Sequence, residues 1–292
     1  MNVTQEAKNK EPRVSFEFFP PNSDDAELSL WKTVKRLAPL DPKFVSVTYG
    51  ADGSTRERTH RVIKRIMTDT TLNAVPHLTC VGASRQDVDS LADKYWHLGV
   101  RKLVALRGDP EGGAEADYVP HKDGYAFGSD LVEGLLEKHP FDLVVGAYPE
   151  THPQALSEEA DLDSLRRKVD AGAKCAITQF FFDDTVFLKF RDRVESAGIK
   201  VELIPGILPV TNYKTLIRFA GSCGVSLPSS LADLFYGLDD DVTTRQHIAA
   251  HVAVSQVEAL GREGVRDFHF YTLNRAELSF TVCHAIGVRG SK

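Results

Sequence analysis

The chain has 292 residues, 42% hydrophobic and 26% charged, with a formal net charge of -6, enough for one large α/β domain or two smaller ones of ordinary soluble composition. The acidic balance and the lack of a basic cluster exclude a nucleic-acid footprint, and no apolar run approaches the roughly 18 residues of a membrane span. Cys80, Cys175, Cys223 and Cys283 are far apart and form no C-x-x-C pair, which excludes a disulfide framework or zinc site and fits reduced thiols in the cytoplasm.

Residues 1–12 are polar and lack the apolar core of a secretory signal, so they are expected to form a disordered lead to one domain over 13–292. Val14-Ser15-Phe16-Glu17-Phe18-Phe19-Pro20-Pro21 reads as a buried strand, crowded with aromatic and β-branched residues and stopped by two prolines. Glu17 is a lone carboxylate in that strand. Such a group either pairs with a cation across the interior or stays protonated and can serve as a general acid; the strand alone supports both. Ser23-Asp24-Asp25 then caps a helix to Leu37 whose stripe is Leu28, Trp31 and Val34. Further strands are expected at 44–50, 74–80, 102–106, 142–148, 175–182, 201–205 and 267–273. Helices are expected at 55–70, 87–98, 129–138, 161–170, up to Ala197, and at 213–222, 229–236, 242–260 and 275–285. Residues 111–124, rich in Gly, Asp and Pro, form a long loop.

Near-continuous apolar strands alternating with helices, in units of about 30 residues, specify parallel strands covered by crossover helices. A single-domain (β/α)8 TIM barrel with extra helices before the last strand follows. The competitor, a doubly wound sheet, usually carries G-x-G-x-x-G after its first strand; here Phe19-Pro20-Pro21 stands instead.

Chemistry in such barrels sits at the C-terminal ends of the strands. The polar groups expected there are Glu17, Thr48, His77, Arg107, Asp109, Tyr148, Glu150, His152, Gln179, Tyr271, Asn274 and Arg275. Each alone fits a hydrogen-bonded structural role; gathered at one rim they make a pocket. No metal is expected: His247 and His251 have i, i+4 spacing, but Ile248 replaces the Glu of H-E-x-x-H. No lysine stands alone in an apolar strand, and no Ser or Cys occupies a glycine-flanked elbow. A large pocket with one acid, one aspartate and one amide suits a bulky planar cofactor. Arg166, Arg167 and Lys168, by spacing alone, read as a solvated helix face.

Eight segments together resemble the flavin-dependent 5,10-methylenetetrahydrofolate reductases. They are Ser15-Phe16-Glu17-Phe18-Phe19-Pro20-Pro21, Val47-Thr48-Tyr49-Gly50-Ala51, Pro76-His77-Leu78-Thr79-Cys80, Leu106-Arg107-Gly108-Asp109, Tyr148-Pro149-Glu150-x-His152-Pro153, Ile177-Thr178-Gln179-Phe180-Phe181-Phe182-Asp183, Pro205-Gly206-Ile207-Leu208-Pro209 and His269-Phe270-Tyr271-Thr272-Leu273-Asn274-Arg275. The resemblance runs in order from residue 14 to the last helix. It implies a barrel with FAD at its C-terminal end that reduces 5,10-methylenetetrahydrofolate to 5-methyltetrahydrofolate for methionine synthesis. NADH or NADPH would reduce the flavin and leave, and folate would then take the same face, a ping-pong hydride transfer through flavin N5. It also implies a cytoplasmic homo-oligomer, dimer or tetramer, and no inhibition by S-adenosylmethionine.

Carried onto this sequence, Glu17 resembles the general acid that opens the folate imidazolidine ring. Asp109 resembles the aspartate whose charge, in a poorly solvated site, favours the iminium cation and tunes the flavin. Gln179, Phe219, Tyr271 and Arg275 resemble substrate contacts. Thr48, His77, Leu106, Arg107, Gly108, Asp109, Phe127, Gly128, Tyr148, His152, Asp161, Ser164, Arg167 and Lys168 resemble the FAD site, with Arg and Lys facing the pyrophosphate. Two departures stand out: Phe127-Gly128 replaces the family's Tyr-Ala after a longer loop, and Ser164 stands where the family can carry Asn. With a reaction that needs an acid and no obvious cation beside it, Glu17 is expected to be that acid.

Overall fold

A computed structural model of the chain describes residues 11–49, 53–110, 112, 116–210 and 212–290. Most of the expected N-terminal lead, Gly50-Ala51 and part of the long loop lie outside these residues. Eight parallel strands close into a barrel in sequence order. They are β1 (Arg13–Phe18), β2 (Val45–Val47), β3 (Ala74–Thr79), β4 (Lys102–Leu106), β5 (Asp142–Ala147), β6 (Cys175–Phe180), β7 (Glu202–Ile207) and β8 (Asp267–Tyr271). The crossovers are α1 (Asp24–Leu37), α2 (Gly53–Asp69), α3 (Arg85–Leu98), α4 (Gly128–Lys138), α5 (Glu158–Asp170) and α6 (Asp184–Ser196). Three helices, α7 (Tyr213–Cys223), α8 (Ser229–Phe235) and α9 (Val242–Arg262), precede β8, and α10 (Ala276–Ala285) follows it. No helix among the described residues is long and apolar enough to cross a membrane.

The twofold period of each strand sorts its side chains into two cores. On β1, Val14, Phe16 and Phe18 join the layer between barrel and helices, with Leu103, Ala105, Leu143, Val145, Phe268 and Phe270 from other strands. The alternate residues fill the lumen, where Phe44, Val75, Val104, Val144, Ile177 and Ile204 pack together. Ion pairs of Arg13 with Asp267, Lys43 with Asp267 and Glu202, and Lys102 with Asp142 gather at the N-terminal ends of their strands. Glu17 follows Ser15 on the lumen row, opposite Ser46 on β2 and Tyr271 on β8.

Several expected boundaries move for local reasons. α5 starts three residues before Asp161, because Ser157 accepts from the Ala160 N–H and caps the helix earlier. A capping box of Ser84 and Asp87 likewise brings the start of α3 forward to Arg85. β6 ends at Phe180, short of Phe182, where a bulge between Ile177 and Phe180 breaks its register with β7.

Candidate active site

Glu17 is held by the seam where the first strand meets the last. Thr272 Oγ1 donates to the Glu17 carbonyl at 2.6 Å. Asn274 grips the next turn from both sides, accepting from the Phe19 N–H and donating to its C=O, each at 2.9 Å. Leu273 and Asn274 take left-handed backbone conformations, φ 50° and 54°, to make this turn. Non-glycine residues in that region are strained, a cost that clusters at functional sites. The Glu17 carboxyl is 8% exposed. Its neighbours are imidazoles: His77 Nε2 lies 3.5 Å and His269 Nε2 3.9 Å from Oε2. His269 is fixed from behind by Ser15 Oγ at 2.7 Å, and both Nε2 atoms lack a hydrogen-bond partner among the described residues. Burial pushes the His77 imidazole down to about 4, outweighing the pull of Glu17, so it is neutral at pH 7. Glu17 therefore lies among neutral or hydrogen-bonding groups rather than beside a lysine or arginine, the alternative to an acid role.

A second limb of polar groups runs round the rim from β4 to β5. The Arg107 guanidinium donates to Gln154 at 2.5 Å and stacks on the Tyr118 ring with 4.4 Å to its centroid. Lys168 reaches in from α5 to donate to the Gly146 carbonyl at 2.8 Å. Burial lowers its ammonium to about 8, against the pull of Asp161 and with Arg107 and Arg167 pushing the same way. Gly128, the first residue of α4, packs against both residues: a Cβ there would be 3.6 Å from Lys168 Cδ and 3.7 Å from the Arg107 backbone nitrogen. Two cations and a helix N-terminus thus converge. Gly108 turns the chain beside them with φ 85°. Leu106 and Ser164 are half-buried here, and the half-buried Thr48 donates its N–H to the Phe18 carbonyl at 3.0 Å.

Tyr148 connects the limbs. Burial, then the charge of Asp109, raises its phenol to about 12, and neighbouring Gln179 pulls weakly the other way. Its ring meets His152 edge-on at 4.4 Å. Tyr271 donates to the Thr178 carbonyl at 2.7 Å, its phenol raised by burial and by Glu17 and Tyr148. Phe219, 41% exposed, stacks on Phe180 at 5.2 Å beside the mouth. Arg275 caps α10 with its side chain exposed.

Several expected placements differ. Arg167 does not join the cationic cluster; it pairs with Asp163 one turn away on the exposed face of α5. Asp161 accepts from the His152 N–H at 2.9 Å, so its carboxylate holds the loop after β5. Asp109 is exposed, not poorly solvated, and water screens its field. Phe127 is 55% exposed and packs on Tyr118 at 6.2 Å, and the Tyr118 hydroxyl donates to the neighbouring Ala126 carbonyl. Sequence reasoning missed Tyr118, Gln154, Ser15 and His269 as site residues. His269 was within reach, two residues before Tyr271 on one strand face; Tyr118 sits in a loop without periodicity.

The buried histidine has a consequence for stability. A pKa depressed from 6.5 to about 4 means the folded state binds its proton less readily than the unfolded chain. The contribution is present above 6.5 and lost as pH falls towards 4, a change on the order of 3 kcal/mol. The carboxyl of Asp184, raised to about 6 by burial, works in the opposite direction over part of that window. The expected result is thus a difference: in urea unfolding, wild type loses more stability than His77→Gln between pH 7 and pH 4. Parallel pH profiles would refute a neutral buried His77.

The profile of the family described as "Methylenetetrahydrofolate reductase" matches residues 2–287. The chain is 53% identical over 277 residues to the 5,10-methylenetetrahydrofolate reductase of Escherichia coli (strain K12), covering 94% of this chain and 91% of that one. It is 42% identical over 288 residues to the enzyme of that name from Buchnera aphidicola subsp. Acyrthosiphon pisum, covering 99% and 96%. Among solved structures, an uncharacterized protein from Clostridium thermocellum, described as binding two copies of 5-methyl-5,6,7,8-tetrahydrofolic acid, superposes with a TM-score of 0.62. At 16% identity over 97% of both chains, that likeness shows the barrel.

Proposed function

The chain belongs to the methylenetetrahydrofolate reductase family, and from that premise we propose that it reduces 5,10-methylenetetrahydrofolate to 5-methyltetrahydrofolate with FAD as resident cofactor and NADH or NADPH as hydride source. The observation that carries the chemistry is the enclosed Glu17 carboxyl, with no lysine or arginine paired to it among the described residues. When bound, FAD supplies a centre that takes hydride from the nicotinamide and gives it to folate. The residues present fit it. A buried ammonium lowered to about 8 is a cation short of a counter-charge, and a pyrophosphate against Lys168, Arg107 and the α4 N-terminus provides one. In this reading Thr48, His77, Leu106, Gly108, Tyr148 and His152 would contact the cofactor, with Phe127, Asp161, Ser164 and Arg167 contributing less directly.

In this reading Glu17 gives its proton to folate as the imidazolidine ring opens, and the imidazoles of His77 and His269 orient the carboxyl. Phe219 and Gln179 hold whichever substrate occupies the mouth, so that nicotinamide and folate take turns in a ping-pong sequence. Tyr271 and Arg275 hold folate. Once bound folate excludes the water that screens it, Asp109 stabilises the positive charge that forms on folate. Free thiols at Cys80, Cys175, Cys223 and Cys283 support a reducing, cytoplasmic setting, where a homo-oligomer feeding methionine synthesis is expected.

The test is direct. Purified protein is expected to be yellow, to bleach anaerobically with NADH and to recolour with methylenetetrahydrofolate. A colourless protein that takes up no FAD would sink the reading. For Asp109→Asn, the folate half-reaction is expected to slow about tenfold, and the flavin potential to rise on the order of 30 mV. An unchanged potential would remove Asp109 from flavin tuning.

A further inference from the structure

A cavity of about 580 Å³ lies outside the barrel, between α2 and α3, within the size range of small-molecule sites. Strand alternation separates it from the mouth: Thr48 continues the lumen row of β2, whereas Tyr49 packs with the outer core. The cleft and the candidate active site therefore lie on opposite sides of one strand end.

The lining carries a net charge that selects a ligand. Arg56, Arg61 and Lys94 stand against Glu57 and Asp87, leaving one positive charge. His60 adds none at neutral pH, since burial, Lys94 and Lys64 all lower its pKa. The walls are flat and apolar, with Tyr49, Val88 and Leu91. Buried polar atoms without a partner among the described residues collect here too: Arg56 Nε and His60 Nδ1 in the lining, and the hydroxyl of Tyr95, whose ring lies 5.7 Å from that of His60. Polar atoms buried in folded proteins are nearly always satisfied, so this concentration points to a partner that is not part of the wall. A guanidinium matches a carboxylate with two parallel hydrogen bonds, and a single excess charge suits a monoanion better than a phosphate dianion.

The cleft is also wired to the rim. Between Arg56 and His60 on α2, the buried Thr59 donates its hydroxyl to the Thr48 carbonyl at 2.8 Å. We propose that the α2–α3 cleft is a second binding site, for a small aromatic carboxylate, and that its occupation acts on the cofactor end of the barrel through the Thr59–Thr48 hydrogen bond. The coupling rests on Thr48 being a flavin contact; the binding does not.

The experiment titrates the purified full chain with 1-naphthoate by fluorescence or calorimetry. One saturable equivalent per chain is expected, at least tenfold weaker in Arg56→Gln and lost in Leu91→Trp, which fills the cleft. Neutral 1-naphthalenemethanol is expected not to bind. Saturating naphthoate is expected to change FAD affinity at least threefold in wild type and not in Thr59→Val. Equal affinity in wild type and both cleft variants, or displacement of the probe by 5-methyltetrahydrofolate, would overturn the site. Binding in the cleft without any change in FAD affinity would overturn the coupling. Because the naphthoate titration does not need flavin, it reads the cleft even if the protein takes up no FAD.

Discussion

Glu17→Gln is expected to be reduced by NADH within a few-fold of the wild-type rate and to pass hydride to methylenetetrahydrofolate about a thousandfold more slowly. The asymmetry follows from the chemistry. Hydride arrives from the nicotinamide without a proton from the protein, whereas the folate ring must be protonated to open, and a positioned acid typically contributes about 10²–10⁴-fold. Gln preserves the shape packed against His77 and His269, so a loss confined to the folate half-reaction isolates the proton. The measurement is anaerobic stopped-flow of each half-reaction, followed by flavin absorbance. Equal losses in both halves would show that Glu17 holds the cofactor site together instead of acting as an acid. A carboxyl at 3.5 Å and 3.9 Å from two imidazoles is placed to be affected by them. The folate half-reaction, not the nicotinamide one, is therefore expected to carry the pH dependence.

Gly206→Ala is expected to lower stability by about 3 kcal/mol, at the upper end of ordinary overpacking, and to weaken folate binding at least tenfold. An added Cβ would lie 2.3 Å from the Thr178 carbonyl oxygen and 2.5 Å from the Tyr271 ring. The same carbonyl accepts from the Tyr271 hydroxyl, and the Gly206 N–H donates to Thr178 Oγ1 at 3.0 Å. Backbone on one side and an aromatic ring on the other leave the methyl no free direction, and the less tethered partner, Tyr271, is the one to move. Urea unfolding and the folate KM check this together. Unchanged stability would mean that β7 yields instead. Lowered stability with an unchanged folate KM would remove Tyr271 from the folate face.

What could be read from the chain alone divides along physical lines. Strand alternation and glycine or proline stops are local, so the barrel, its extra helices and the lumen position of Glu17 were legible. His77 could be named but not given its state, because a neutral imidazole follows from enclosure by the whole barrel. Arg167 and Lys168 are adjacent in sequence, yet one is held outside by Asp163 and the other reaches the β5 carbonyl row. Adjacent helical residues point about 100° apart, so the rotation of α5 against the barrel decides which of the two faces inward. Tyr118 belongs to a loop, where contacts depend on the path of the chain and not on any period.

The left-handed turn after β8 has a bearing on how the molecule is made. Its three hydrogen bonds to the segment around Glu17 each join residues 255 apart. Every one of them closes a loop spanning nearly the whole polypeptide, the entropically slowest kind of contact to form. During synthesis, residue 17 leaves the ribosome long before residues 272 and 274 exist, so the acid waits without its anchors for most of translation. In refolding from urea, helical ellipticity should return first and folate reduction only with the seam, making catalytic competence a late reporter of ring closure.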